Sequence, residues 1–488
     1  MLLRLEMTVA ALLLALGIIL VPYSNIRLPS GGAVGGPFLM ALGVAIAVGA
    51  LVFSMRNHSC RIDVSSISQH WPRGHLLVIA SGLLLQVLIA IFLHPVPVSD
   101  LKTYLTFAES LARFQSYVDS RGFHAFWPPG LPLYLSPFVW LFGNKLLAVV
   151  CANIVLFLLS VWAIGVIATR IFDRNVALLS IALFSFWPNR ILMGGLASKE
   201  NLTLCLVLLN LALLVLALDK LRLKRSALAL IILSGLVLGL AVVTQPGLML
   251  LLVLYPWMYR TWLVDLGLQR SLPLFFAILA GLAIAVSPWM IRNCHVFDGK
   301  FCGIATNGGS VFYRANNELA TGTFIPEGKV PLGQMSELEQ NNTGFKLGMQ
   351  WIRGNPLAMV KLSFHKFRFF IAEDDYGPYW AIFRGLGLSE QDSRNGLEQS
   401  RAAVFDTALV IATIYWLMIL SLAMVFLVNR LINFKEERVS PLIYPLLYGA
   451  AIFAVFESGA RQHIAFSGTL IILAAAGLMV SLGKSAKL

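Results

Sequence analysis

The residues best placed for chemistry stand at the ends of apolar segments. Asp100 follows the sequence HPVPVS, whose prolines favour an extended chain where it leaves an apolar segment. A carboxylate there can act as a general base that takes a proton from an incoming hydroxyl group. Together with Ser99 it can instead cap the N-terminus of a helix. The sequence leaves both roles open for Asp100.

Four further ionisable residues border other apolar segments. Lys199 and Glu200 precede one segment, and Arg461 and His463 precede the last one. A guanidinium can bind a phosphate through two parallel hydrogen bonds, so this set suits a phosphorylated ligand. The alternative is that these residues only mark the membrane surface, because long basic side chains reach from apolar segments to water.

The segment 287–317 combines Arg292 with the sequence TNGGS, which contains Asn307. Backbone amides in a glycine-rich turn can form a concave site for an anion. An isolated Gly-Gly pair is equally compatible with an ordinary turn. Cys294 and Cys302 lie in the same segment, and the sequence leaves open whether they form a disulfide.

The composition places these residues in a membrane protein. Of the 488 residues, 58% are hydrophobic and 12% are charged, and the mean hydropathy is +0.79. Soluble domains are nearer half apolar and a quarter charged. We therefore predict an all-α integral membrane protein with about twelve transmembrane helices of about 20 residues each. The net charge of +13 is spread over many loops, without a basic run interleaved with aromatic residues, and does not indicate nucleic acid.

The apolar runs that could span a membrane are distributed over most of the chain. They fall at 5–22, 37–55, 75–93, 145–169, 175–188, 201–218, 226–244, 247–259, 272–290, 404–428, 440–456 and 464–482. The runs 175–188 and 247–259 are short, and Pro188 and Pro246 break the chain at their ends.

The short basic loops determine the expected orientation. They all fall on one side if the chain starts in the cytoplasm and also ends there. The chain then divides into two extra N-terminal transmembrane helices (1–74), a transmembrane core (75–290) with a first outer loop (94–144), a large periplasmic segment (291–403) and C-terminal transmembrane helices (404–488).

Both outer segments contain sequence that favours amphipathic helices on the membrane surface. Residues 101–114 place apolar side chains on one face but are too polar to span, and residues 355–373 have the same character. Between them, Pro128 and Pro129 fix the backbone and Gly130 permits a tight turn. We call residues 127–130 the elbow.

The elbow precedes an apolar run, 131–143, that is short for a span and suits a re-entrant or surface helix. We expect this arrangement to hold Asp100 at the rim of a cavity close to the membrane surface.

The order of these features resembles that of the GT-C superfamily of polytopic glycosyltransferases, in particular the bacterial branch related to protein O-mannosyltransferases and to the lipid A aminoarabinose transferase. Five fragments carry the resemblance in chain order: SDLKTYLTFAESL, FWPPGLPLYLSPFVWLFG, GGLASKENLTL, PWMIRNCHVFDGKFCGIATNGG and the basic end of the last outer loop. Their order over most of the chain is more specific than any single fragment.

The resemblance implies a glycosyltransferase that uses a polyprenyl-phosphate-linked sugar. The sugar would go to a hydroxyl or phosphate group of lipid A, core oligosaccharide, a glycan or a protein, on the periplasmic face of a bacterial inner membrane. Asp100 would be the catalytic base. The donor phosphate or substrate would be bound by Lys199, Glu200, Arg292, Asn307, Arg461 and His463. The first-loop motif would comprise Tyr104, Trp127, Pro128, Pro129 and Gly130.

A metal requirement and a competing function are left open by the sequence. Many relatives have a second acid after the first, whereas Leu101 follows Asp100 here. No cofactor or metal site is predicted, and a divalent metal stays an alternative. The competing function is a transporter or flippase of lipid-linked sugars. Transporters are often built from repeats, and no clear internal repeat occurs here. The expected partners are the lipid-linked sugar, a lipid or glycan acceptor and membrane lipids.

Overall fold

The chain is an all-helical membrane protein in the part that the computed structural model describes, residues 2–20, 74–387, 396–432 and 438–482. These residues contain no strand, and the predicted all-α class is confirmed. The α-helices are α1 (Leu2–Leu20), α2 (Gly74–Leu93), α3 (Ser99–Ala112), α4 (Gly130–Phe142), α5 (Lys145–Ile171), α6 (Arg174–Ser185), α7 (Pro188–Leu192), α8 (Lys199–Arg222), α9 (Leu228–Thr244), α10 (Tyr255–Met258), α11 (Arg260–Leu266), α12 (Leu268–Val296), α13 (Gly308–Ala315), α14 (Glu337–Gly354), α15 (Pro356–Ile371), α16 (Gly396–Ile432), α17 (Ser440–Val455) and α18 (Ala460–Ser481). Shorter 3₁₀ and π-helical segments are Met193–Gly195, Pro246–Leu254, Glu327–Lys329 and Pro378–Phe383.

Six helices of the described residues are long and apolar enough to cross a membrane, and up to eight spans result if each of two bent helix pairs is one span. The chain bends by 49° at the break before Pro188, where the sequence predicts an interruption. Helix α9 ends at Thr244, directly before the predicted break at Pro246. The total of about twelve spans stays a prediction, and the apolar run 37–55 lies outside the described residues.

Helices α8 and α18 form the centre of the bundle. Their apolar stretches are 89% and 94% buried, and α18 packs against α8, α16 and α17. The first turns of α8 and α18 lie at the same end of the bundle, since Lys199 and Arg461 are close enough to interact electrostatically. Both helices direct the positive end of their dipole to this place, which favours an anion there.

The first outer loop forms the two helices that the sequence predicts. Helix α3 covers nearly the whole expected range 101–114 and buries its apolar face, and α4 matches the expected run 131–143. At the elbow, a Cβ on Gly130 would lie 2.1 Å from Thr244 Oγ1. Gly130 has no positive φ. A glycine is therefore needed here for close packing against the end of α9, rather than for a left-handed turn.

The second outer segment is fastened to the first loop by one buried carboxylate. Glu337, in the first turn of α14, accepts hydrogen bonds from the backbone amides of His124 and Ala125 at 2.6 and 2.7 Å. It also accepts one from the Thr306 hydroxyl at 2.6 Å. Helix α15 forms within the expected range 355–373. These contacts hold the two outer segments together over the end of the bundle.

The N-terminal helix α1, for which the sequence suggested no role, is anchored through Glu6. This buried carboxylate accepts hydrogen bonds from Tyr444 and Ser440 of α17, at 2.8 and 3.1 Å. It also pairs with Arg260 of α11 at 2.6 Å. Helix α1 thus joins two parts of the bundle that are distant in the chain. The second expected N-terminal helix lies outside the described residues.

Candidate active site

A cavity of about 1150 Å³ lies where α3, α13 and the first turns of α8 and α18 meet. One end, which we call the ionic end, is lined by Asp100, Lys199, Arg314, Glu457 and Arg461. These five residues come from distant parts of the chain, and the structure brings them to one place. Their charges determine which ligands the cavity can hold.

The Asp100 carboxylate is paired with Arg461. Asp100 Oδ2 accepts a hydrogen bond from Arg461 Nη1 at 2.9 Å. Val98 occupies the cap position of α3, and no side chain caps that helix. The capping role that the sequence left open for Asp100 is therefore not adopted. Burial by itself would raise the pKa of Asp100, but Arg461, Lys199 and Arg314 together hold that pKa below its usual value. The carboxylate is ionised at neutral pH.

Glu457 orients the two arginines of the ionic end. Its Oε1 accepts a hydrogen bond from Arg461 Nη2 at 3.3 Å, and its Oε2 lies 3.6 Å from Arg314 Nη2. Glu457 is 4% exposed. The side chains of Asp100, Arg461, Glu457 and Arg314 thus form a continuous row of alternating charges. Sequence reasoning missed Glu457, although its position four residues before Arg461 was a signal for such a pair.

Lys199 is the cation most available to a ligand. It begins α8 and lines the cavity in a half-buried position. Across the described ranges, its ammonium group makes no hydrogen bond or ion pair. The neighbouring Glu200 points elsewhere: its carboxylate accepts hydrogen bonds from Ser198 Oγ at 2.6 Å and from Tyr376 at 3.2 Å. Glu200 does not line the cavity.

Two other residues predicted to bind the donor are also held away from the cavity wall. Arg292 donates from Nη1 to the His124 carbonyl oxygen at 2.8 Å and from Nη2 to the Tyr117 carbonyl oxygen at 3.1 Å. It fixes the first outer loop in this way. His463 is fully buried behind Arg461, in the first turn of α18. Neither Arg292 nor His463 lines the cavity.

His463 belongs to a buried polar cluster around Asp374. His463 Nδ1 lies 2.9 Å from the Phe370 carbonyl oxygen, which can only accept, so Nδ1 carries a proton. His463 Nε2 lies 3.2 Å from Asp374 Oδ1, and Trp187 Nε1 donates to Asp374 Oδ2 at 2.8 Å. Burial raises the pKa of Asp374. The cluster fixes the first turn of α18, which carries Arg461.

The first-loop motif forms part of the wall between α3 and α4. Tyr104 and Trp127 contact each other edge to face, with ring centroids 5.5 Å apart, and both line the cavity with Pro128. The hydroxyl of Tyr117 donates to the carbonyl oxygens of Trp127 and Pro128 at 3.0 and 3.3 Å. Pro129 and Gly130 lie behind this wall, where α4 begins.

A third part of the cavity wall is apolar. It includes Met249, which is 49% exposed, and Met290, which is 37% exposed, together with Val286 and Ile452. Met290 and Val286 belong to the spanning helix α12, and Ile452 belongs to the apolar helix α17. This wall offers apolar surface that an acyl or isoprenoid chain can cover.

Asn307 lines the cavity at the start of α13. Thus Asp100, Lys199, Asn307 and Arg461 of the predicted set meet in the cavity, and Glu200, Arg292 and His463 support the wall from behind. Among the residues that the structure describes, no group of three or more His, Cys, Asp or Glu side chains is arranged to hold a metal ion.

A family model described as dolichyl-phosphate-mannose-protein mannosyltransferase matches residues 127–291, about a third of the chain. The match begins in the elbow and includes Lys199 and most of α12. The resemblance inferred from the sequence is confirmed over this part. No curated protein matches the chain significantly.

Two solved structures align with the chain at low sequence identity. One is the archaeal oligosaccharyltransferase AglB from Archaeoglobus fulgidus, in complex with an inhibitory peptide and a dolichol-phosphate. It has 11% identity and a TM-score of 0.45, over 84% of this chain and 50% of that one. The other is ArnT from Cupriavidus metallidurans, bound to undecaprenyl phosphate. It has 14% identity and a TM-score of 0.41, over 83% of this chain and 77% of that one. This chain therefore spans about half the length of the archaeal protein.

Proposed function

We propose that this protein is a membrane glycosyltransferase that moves a sugar from a polyprenyl-phosphate-linked donor to a hydroxyl group of an acceptor. The observation that carries the proposal is the ionic end of the cavity, where Asp100 pairs with Arg461 at 2.9 Å. Beside this pair lies Lys199, which has no ion pair within the part of the chain that the structure describes. The family match supports it, because the matched residues 127–291 include the elbow and Lys199.

The charges of the ionic end suit the phosphodiester of such a donor. Three cations, Lys199, Arg314 and Arg461, face two carboxylates, those of Asp100 and Glu457, which leaves one net positive charge. A phosphodiester between a sugar and a polyprenol carries one negative charge. Lys199 has no competing hydrogen bond among the described residues, and the N-terminal ends of α8 and α18 add further positive potential.

The apolar wall suits the lipid part of the donor. Met249 and Met290 belong to this wall, so part of a polyprenyl chain can bury apolar surface there while its phosphate lies at the ionic end. A water-soluble nucleotide sugar would gain nothing from this wall, because it has no apolar chain to bury.

In the proposed reaction the acceptor oxygen attacks the anomeric carbon of the sugar. The new carbon–oxygen bond forms as the bond from that carbon to the phosphate oxygen breaks, and the polyprenyl phosphate leaves with the electron pair. Asp100 takes the proton of the acceptor hydroxyl. Lys199 and Arg461 stabilise the negative charge that grows on the leaving phosphate.

Arg461 connects binding of the donor phosphate with deprotonation of the acceptor hydroxyl by Asp100. In the structure its guanidinium is shared between Asp100 and Glu457. A donor phosphate that attracts Arg461 would weaken the hold on Asp100 and raise the pKa of its carboxyl, because burial then acts with less opposition. The base would become stronger only when the donor is in place.

We assign the cavity to the periplasmic face of a bacterial inner membrane, with both termini in the cytoplasm. The short basic loops support this orientation. The disulfide between Cys294 and Cys302 is further support, because disulfides persist in oxidising compartments.

The proposal is tested by following donor consumption with the purified protein in lipid nanodiscs. Polyprenyl-phosphate sugars serve as donors, a membrane extract serves as acceptor, and release of polyprenyl phosphate is the readout. We expect the wild type to turn over and Asp100→Asn to lose about 100-fold or more, as for loss of a general base. Glu109→Gln, which removes another carboxylate of α3 that lies outside the cavity, is the matched control and should retain activity. Full activity of a folded Asp100→Asn protein would contradict the mechanism, and no turnover of any donor by the wild type would contradict the function.

A further inference from the structure

We infer that the end of the cavity opposite the ionic end binds a neutral, hydroxyl-rich acceptor, a saccharide, through the side-chain amides of Asn307 and Asn341. This inference rests on the proposed function, because it names the acceptor of the same cavity. We call this region the amide end. Four observations carry it: two amide groups without a partner among the described residues, an aromatic ring beside them, their distance from the ionic end, and the neutrality of the amides.

The orientation of the Asn341 amide is determined by its one hydrogen bond. Asn341 Oδ1 accepts from the backbone N–H of Gly309 at 2.9 Å. A backbone N–H requires an acceptor, so the oxygen must lie on this side and the NH2 group on the other. Asn341 is 9% exposed and lines the cavity. Its NH2 group has no hydrogen-bond partner in the described part of the chain, and it is available as a donor to a ligand.

Asn307 supplies a second free amide close by. It is half-buried, lines the cavity and makes no side-chain hydrogen bond to any residue that the structure describes. The next residue, Gly308, shows how near the other groups are. A Cβ on Gly308 would lie 3.1 Å from the Phe345 ring and 3.8 Å from Asn341 Oδ1. Asn307, Asn341 and Phe345 therefore form one compact group.

The length of helix α13 gives the distance from this group to the ionic end. Asn307 precedes its first residue, and Arg314 lies in its last turn, next to Glu457. With a rise of 1.5 Å per residue, the separation along the helix is about 10 Å. An acceptor held by the amides can therefore extend along α13 and present one hydroxyl near Asp100.

The amides of Asn307 and Asn341 are neutral and offer no charge to an anionic acceptor. Arg121, the arginine of the first loop that lines the cavity, is paired with Asp119, which accepts from its Nη2 at 2.9 Å and from its Nε at 3.1 Å. A phosphorylated acceptor would thus lose its hydration without gaining an ion pair at Asn307 and Asn341.

Amides and aromatic rings together fit a saccharide. Each sugar hydroxyl can donate to an amide oxygen and accept from an amide N–H, and the C–H faces of a sugar ring pack on aromatic faces. The ring of Phe345, which is 41% exposed, lines the cavity beside Gly308.

The test measures binding without a donor, by saturation-transfer NMR on the full chain in nanodiscs. The probes are maltotriose, maltose 1-phosphate and a serine- and threonine-containing peptide. Asn341→Asp is the diagnostic variant, because it keeps the oxygen that accepts from Gly309 and replaces the NH2 donor. We expect maltotriose to bind and Asn341→Asp to weaken its binding about tenfold or more, as for loss of a buried hydrogen bond.

Two further variants make the outcome decisive. Asn307→Ala should also weaken maltotriose binding, and it removes no hydrogen bond of the described fold. Asn355→Asp, at an exposed position just after α14, is the matched control and should leave binding unchanged. Binding that is insensitive to both cavity variants, or a preference for the phosphorylated sugar or the peptide, overturns the inference. Sensitive saccharide binding without donor turnover would overturn the proposed transferase alone, and donor turnover without saccharide binding would overturn the amide end alone.

Discussion

Asp100 and Arg461 are 361 residues apart in the chain, and their side chains meet at 2.9 Å. Asp100 is carried by a helix on the surface of the bundle, and Arg461 by the first turn of the most deeply buried helix. Their pair connects the first outer loop to the centre of the protein. It also places the candidate base, Asp100, in direct contact with Arg461, which is a candidate binding residue for the donor phosphate. Substitution of either residue should therefore affect the side chain of the other.

The first prediction concerns the pH dependence of turnover. Arg461 opposes the effect of burial and keeps the pKa of Asp100 below 3.8, so Asp100 stays ionised until the pH falls through that lowered value. In Arg461→Gln, burial acts with less opposition and the pKa rises. The acid limb of kcat/KM should therefore move to higher pH, and the kcat/KM profile of both proteins measures it.

Arg113→Gln, at the exposed end of the same helix α3, is the control for this shift. It should leave the acid limb where the wild type has it. An unchanged limb in Arg461→Gln would show that Arg461 does not control the ionisation of Asp100.

The second prediction concerns donor binding. Lys199→Gln removes the one cation of the ionic end that has no hydrogen bond among the described residues. The substitution should therefore remove an interaction with the donor and no hydrogen bond of the described fold. A charge-assisted hydrogen bond is worth about 1.5–3 kcal/mol, which corresponds to a rise of roughly 10- to 100-fold in the donor KM. Lys220→Gln, at the exposed other end of α8, should leave that KM unchanged. Equal KM values for the two variants would remove Lys199 from the donor site.

The third prediction concerns Glu457. Glu457→Gln leaves Arg314 and Arg461 facing each other without the carboxylate between them, in a site where Glu457 is almost fully buried. Removal of one partner of a buried ion pair costs about 3–5 kcal/mol, and we expect a lower unfolding temperature. Thermal unfolding in nanodiscs measures it, and an unfolding temperature equal to that of the wild type would contradict the bridging role of Glu457.

A double-mutant cycle tests whether Glu457 acts through Arg314. Because the two side chains face each other, Glu457→Gln combined with Arg314→Gln should cost less than the sum of the single changes. Strict additivity would show that the two residues are independent of each other.

The fourth prediction concerns packing at the elbow. In Gly130→Ala the new Cβ would lie 2.1 Å from Thr244 Oγ1 and 2.6 Å from Thr244 Cα, so the backbone must shift. Overpacking of this kind costs about 1–3 kcal/mol and should lower the unfolding temperature. Gly354→Ala, where nothing lies within 4 Å of the added Cβ, should not. Similar stability of both variants would contradict the close approach of α4 to α9.

The sequence was sufficient to find several residues of the cavity. Asp100, Lys199 and Arg461 stand out because a charge at the end of an apolar segment is conspicuous, and Trp127 and Pro128 because prolines interrupt a helical pattern. The same reasoning could not separate Glu200, Arg292 and His463, which satisfy the same pattern but turn their side chains to other partners. The position of a residue at the end of an apolar segment predicts that it lies near the surface of the bundle. It does not predict the direction in which the side chain points.

The sequence alone determined that the chain is a helical membrane protein and where most of its helices begin and end. These properties follow from local periodicity and from hydrophobicity summed over short segments. Only the tertiary structure decided that Glu457 bridges two arginines, that Glu337 joins the two outer segments and that Asn341 binds the Gly309 amide beside the cavity. Such pairings depend on contacts between residues far apart in the chain. Their geometry is decided by how helices pack, which no local pattern encodes.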